Sequence, residues 1–167
     1  MIIFATACKK DDPIPGPTKE DLIVGDWTLE SQFIDDGLIL IGFGGEFDTT
    51  TFTYQSKNED FELELNENKS FTASGSLTRT VSTINSDGEE TIEDEVVSDT
   101  TATGSWVIDG DILKITANGE VTENKIIELT TSKLKYETKE VENTTVEVFG
   151  IILDVNTSST SVSIYKK

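Results

Sequence analysis

The residues Phe61-Glu62-Leu63-Glu64-Leu65 alternate strictly, apolar against acidic, and the chain returns to that rhythm again and again. Period-two alternation places successive side chains on opposite faces of an extended strand, one face for a core and one for water. Phe71, Ala73, Gly75, Leu77 and Val81 form an apolar face on a second long run, with Arg79 on the same side. A returning run puts Ile92, Val96, Ala102, Gly104, Trp106 and Ile108 on one side. Val, Ile and Thr dominate these stretches, and β-branched side chains suit a pleated, half-buried surface.

Turn cues separate the runs. Asn66-Glu67-Asn68-Lys69, Asn85-Ser86-Asp87-Gly88, Asp109-Gly110 and Asn118-Gly119 each fall between alternating segments. Asp-Gly and Asn-Gly supply the positive φ that a type I′ hairpin needs at its central positions. Further strands run through Ile126-Ile127, Leu134-Lys135-Tyr136, from Val146 to Val155, and through Val162-Ser163-Ile164-Tyr165. The spacing predicts roughly nine or ten strands joined by short hairpins. The expected fold is therefore all-β, antiparallel and up-and-down. So many strands must close or double over to hide their edges, which predicts a β-barrel first and a β-sandwich second. The exceptions are few. Thr18-Lys19-Glu20-Asp21-Leu22 reads as one helical turn capped by Thr18, with Asp21 three residues on. The apolar, Gly-rich segment 38–47 lacks strict alternation and reads as a buried strand with a bulge, or as a flap over a barrel mouth.

Composition excludes several functions. The chain has 167 residues, which fits one domain and a short tail, and no apolar run reaches the roughly 18 residues of a spanning helix. Its net charge is −19, from 32 acidic and 13 basic residues, so a nucleic-acid backbone would be repelled and anionic lipid headgroups are poor direct contacts. Most of that acidity reads as a solvated exterior. Asp109-Gly110-Asp111 and Asp87-Gly88-Glu89-Glu90 lack the spacing of a calcium loop and read as turns, so neither a metal nor a cofactor is expected. There is no histidine and only one cysteine, which removes the usual general base, the usual zinc ligand and any internal disulfide. Carboxylate pairs such as Glu62 with Glu64, or Glu93 with Glu95, share one strand face and are expected to point to solvent. A glycosidase needs two carboxyls facing across a sugar, so no enzyme is expected.

The amino terminus reads differently from the rest. Met1-Ile2-Ile3-Phe4-Ala5-Thr6-Ala7-Cys8 is a short apolar run ending in small residues, without a basic n-region, and the true start is expected upstream. Ala5, Thr6 and Ala7 before Cys8 resemble a bacterial lipobox, with Ala5 where leucine is usual. Lys9-Lys10-Asp11-Asp12 resembles the signal that follows the acylated cysteine in surface-exported lipoproteins of Bacteroidota. All three prolines then fall within residues 13–17, which reads as an extended tether. The expected division is residues 1–8 as the end of a lipoprotein signal, 9–20 as a tether and 21–167 as the β domain. Cys8 is the expected lipidation site, which implies a lipid-anchored protein of the outer membrane, exposed at the cell surface.

Gly25-Asp26-Trp27 resembles the Gly-x-Trp opening of lipocalin and calycin barrels, and Gly104-Ser105-Trp106 repeats it before the Asp109-Gly110 turn. The tandem motif, with the 130–136 stretch after it, is similar to lipocalin-like lipoproteins of Bacteroidota. What the resemblance implies is a glycine that lets the chain enter the barrel tightly and a tryptophan that plugs its closed end. Typical members also pack an arginine on that tryptophan near the carboxyl end; here the only arginine is Arg79, in mid-chain.

Two functions follow as expectations. The first is a binding module for a small apolar or amphipathic molecule, since a barrel of about eight strands is just wide enough for one ligand or for packed side chains. Its expected interior residues are Phe61, Leu63, Phe71, Leu77, Trp106 and Leu134, with Arg79 needing a carboxylate or an anionic ligand group. The second is a filled, ligand-free interaction domain that contacts another envelope protein or a glycan, using edge strands after Val146.

Overall fold

The computed structural model describes residues 16–167, apart from the side chains of residues 58, 59, 98 and 99. The lipidation expected at Cys8 lies outside the described residues, as does the tether up to residue 15. The elements run α1 (Lys19–Ile23), β1 (Gly25–Phe43), β2 (Glu46–Leu65), β3 (Ser70–Ile84), β4 (Glu90–Asp109), β5 (Ile112–Ala117), β6 (Glu120–Leu129), β7 (Lys133–Val148) and β8 (Ile151–Lys166). Each strand pairs antiparallel with the next, and β8 pairs back onto β1 from Thr28↔Lys166 to Gly42↔Asp154. The sheet is thus an all-β antiparallel ring. The nine or ten strands read from sequence correspond to eight long ones, several bent at register shifts.

Closure changes the reading of the carboxyl-terminal strands. The residues after Val146 were expected to offer edges, but β8 is paired on both sides, to β7 and to β1. The segment 38–43 is likewise paired on both sides, following a bulge between Ile34 and Gly37. It is not wholly buried: Ile41, Phe43 and Phe47 are exposed at the hairpin tip.

The core gathers at one end of the ring. Ile23, Trp27, Leu65, Leu113 and Leu134 are completely buried there, beside Trp106. Helix α1 covers this end, and its start follows the sequence: the Thr18 hydroxyl accepts from the Asp21 amide, and the Asp21 carboxylate accepts from the Thr18 amide at 2.8 Å. The Thr18 hydroxyl also donates to that carboxylate at 2.6 Å, and this bond, with the one from the Thr18 amide, holds the Asp21 carboxyl below its ordinary value. Three lysines fasten the cap. Lys19 reaches Asp111 and the Gly110 carbonyl on the β4–β5 turn, Lys69 pairs with Glu20 at 2.7 Å, and Lys167 donates to the Leu22 and Val24 carbonyls. Exposed ion pairs of this kind contribute little each, because water and salt screen them. Their use is positional.

One strand face departs from expectation. Ile92 and Val96 are 62% and 66% exposed, although Ala102, Trp106 and Ile108 face inward as read. Gly75 pairs with Thr100 but Leu77 pairs with Val97, so β4 carries one more residue than β3 across that interval. An extra residue reverses the alternation beyond it. Val97 therefore turns toward the core and its neighbour Val96 turns out. The β4–β5 turn also differs: its central residues are Gly110 and Asp111, with positive φ at Gly110 alone, whereas Asn118 and Gly119 both have positive φ. Only the second has the expected type I′ pattern.

Candidate functional site

Above the packed end the ring encloses space. The inward faces of β2 and β3 bring Phe61, Leu63, Phe71 and Leu77 to a cavity of about 290 Å³, closed on the far side by Tyr136 and Tyr165. The two tyrosine rings stack with centroids 5.7 Å apart, and the Tyr136 hydroxyl donates to that of Tyr165 at 3.2 Å. Burial pushes both phenols above their ordinary range. Apart from these two hydroxyls the lining is apolar except for Gln32, whose amide nitrogen donates to the Ser163 hydroxyl at 3.0 Å. Its backbone amide, at a register shift of β1, donates to the Ser56 hydroxyl at 2.6 Å.

Gln32 also lines a second cavity of about 340 Å³, further toward the open end. The chemistry there is polar, with Arg79, Glu95 and Glu140 beside Tyr54, Ser159 and Ser161. Arg79 Nε donates to Glu95 Oε2 at 2.8 Å, and the guanidinium lies 5.3 Å from the centre of the Tyr54 ring. The hydrogen bond to Glu95 raises the Arg79 pKa and lowers that of Glu95. Burial is the main reason that Tyr54 is pushed up to about 12. Glu95, expected to point to solvent, instead faces the ring's interior next to Arg79. The bulge that turned Val96 outward turned Glu95 inward.

The residues expected inside divide into two groups. Phe61, Leu63, Phe71 and Leu77 line the apolar cavity, and Arg79 lines the polar one. Trp106 and Leu134 line neither; they are packed in the closed end, 2% and 0% exposed. Leu29, Gln32 and the tyrosine pair were not among the expected lining residues. Tyr136 and Tyr165 sit on strands whose alternation was legible, and facing them inward would have found them. Gln32 carries no such signal, because the shift in β1 that places it is silent in the sequence.

No family model, curated protein or solved structure matches this chain. Both Gly-x-Trp motifs lie at the closed end, and their surroundings match. The Trp27 indole donates to the Ile23 carbonyl at 2.6 Å, with Lys167 Nζ 4.5 Å above the ring. The Trp106 indole donates to the Asn66 carbonyl at 3.2 Å, with Lys69 Nζ 4.1 Å above the ring. Each tryptophan is thus buried, hydrogen-bonded through its one donor and covered by a lysine. Burial lowers the pKa of Lys167.

Proposed function

We propose that this chain is a lipocalin-like barrel that takes up one small amphipathic molecule, its apolar part against Phe61, Leu63, Phe71 and Leu77 and its polar part near Arg79 and Glu95. The observation that carries this reading is the pair of cavities meeting at Gln32, apolar below and charged above. Ligand sites are concave, mostly apolar and fitted with a few placed polar groups, typically about 300–1,000 Å³ in volume. A core of interlocked side chains would instead have favoured an interaction domain. The guanidinium and carboxylate are already paired with each other, so the favoured head group is one that both donates and accepts, not a bare anion. No catalytic step is assigned: Glu95 is ionised and paired with Arg79, and Tyr54, pushed up to about 12, stays a phenol near neutral pH as any tyrosine does.

Native mass spectrometry of protein purified from its host is expected to show a retained mass that is lost on denaturation. Ala73→Trp, which fills the apolar cavity from the β3 wall, should reduce that retained fraction by about tenfold or more while the far-ultraviolet circular dichroism is unchanged. Equal retention by this variant would place the ligand elsewhere.

The same reading places the barrel at the cell surface of a Gram-negative bacterium, anchored to the outer membrane through lipid on Cys8. Its support is the small-residue run before Cys8 and the Lys9-Lys10-Asp11-Asp12 stretch after it. Cys8→Ala is expected to abolish incorporation of labelled fatty acid and to release the protein from membranes. Unchanged membrane association would refute the anchor.

A further inference from the structure

Part of the wall is incomplete. β6 and β7 pair between Asn124↔Thr138 and Leu129↔Leu134, and beyond Asn124 they separate. Among the described pairings, residues 120–123 bond only to β5, and residues 139–142 only to β8. The two strands line a common groove of about 550 Å³, with residues 120–123 on one wall and 139–142 on the other. Side chains hold the fork in place. The Thr138 hydroxyl donates to Asn124 Oδ1 at 2.6 Å, and Asn124 Nδ2 donates to the Leu113 carbonyl at 3.1 Å, all of them buried.

An unpaired strand edge presents a row of backbone donors and acceptors, and an added extended segment satisfies them. Here two such edges flank one groove. Neighbouring strands lie about 4.8 Å apart, so one added segment bonds to both edges where they stand about twice that distance apart. Charge and alternation specify what fits. Asn124 and Thr138 face inward, so alternation puts Glu120, Glu140 and Glu142 on the inner side and Val121 and Val141 on the outer side. Glu123 is held by Lys114 at 3.3 Å, and Lys139 is the one basic residue lining the groove.

We infer that this groove receives an extended segment of a partner protein, alternating basic and apolar residues, which adds as a strand between β6 and β7. Its basic side chains meet Glu120, Glu140 and Glu142, and its apolar side chains cover Val121 and Val141, which are 59% and 73% exposed. The groove lies in the wall and shares Glu140 with the polar cavity, whereas Glu120 and Glu142 line the groove without lining that cavity.

The test uses the whole chain and a ten-residue peptide alternating lysine and valine, at physiological salt. Saturable binding at one peptide per chain is expected, with slowed hydrogen exchange at the amides of residues 120–123 and 139–142. A peptide of the same sequence, N-methylated at alternate backbone nitrogens, keeps its charge but loses donors, and should bind at least about tenfold more weakly. Equal binding of the two peptides would show attraction by charge alone and overturn the proposal. The double variant Glu120→Lys with Glu142→Lys changes two exposed residues outside the core and should also weaken binding by about tenfold. Unchanged affinity in that variant, or protection elsewhere in the ring, would likewise overturn it.

Discussion

Trp27→Ala is expected to destabilise the domain by about 3–5 kcal/mol, the range for removing a large aromatic side chain from a packed core. Trp27 is completely buried and shares the closed end with Ile23, Leu65, Leu113 and Leu134. Three losses coincide in that change. The cavity left behind cannot collapse easily, because α1 above it is fastened by Lys19, Glu20 and Lys167. The Ile23 carbonyl loses its indole donor, and Lys167 loses the ring beneath it. For a domain of this size the midpoint of thermal unfolding should fall by roughly 10–15 °C. Trp27→Phe keeps most of the volume and should cost less than half as much, with the missing donor as its main penalty. Urea unfolding measures both, and a cost for Trp27→Ala under about 1 kcal/mol would show that the plug is not a cornerstone of the fold.

The sequence discloses what depends on local pattern and conceals what depends on register. Alternation in β2 and β3 placed Phe61, Leu63, Phe71, Leu77 and Arg79 on inward faces, and all of them line the cavities. The capping pair Thr18 and Asp21 marked α1, and Asn118-Gly119 marked its hairpin, because both signals lie within a few residues. β4 failed for the opposite reason. Nothing in Glu90–Asp109 announces the extra residue between Val97 and Thr100, since a bulge is set by the partner strand. From that one offset came the errors on β4: Ile92 and Val96 placed inside, and Glu95, with Glu93 on the same face, placed outside. The two cavities were equally hidden. Whether inward side chains interlock or leave space is decided by how strands across the ring face one another, and one chain's pattern carries no such information. The fork above Asn124 and Thr138 belongs to the same class. Both residues read as ordinary polar strand positions until their side chains are found bonded across the point where the strands part.

Gly104→Ala should be nearly as damaging as the loss of Trp27, although it adds a single methyl group. A Cβ at residue 104 would stand 1.9 Å from the carbonyl oxygen of Thr116 and 2.8 Å from the Phe71 ring. The ring is a side chain and can move; the carbonyl belongs to β5, held in the ladder by Ser105↔Thr116 and Gly104↔Ala117. The wall must therefore shift, at a cost of about 3 kcal/mol or more. Gly25 in the first motif behaves differently. Its φ is +129°, so a side chain there is strained by conformation, while the nearest atom to an added Cβ is the flexible end of Lys167 at 3.2 Å. The two glycines of the tandem motif thus answer to separate constraints, space at one and backbone angle at the other. A double variant distinguishes ring from carbonyl: Phe71→Leu combined with Gly104→Ala relieves only the ring. Stability of the pair is expected to stay well below that of Phe71→Leu alone in urea unfolding. Near-complete recovery in the double variant would mean that the Phe71 ring, not the β5 backbone, is what excludes a side chain at residue 104.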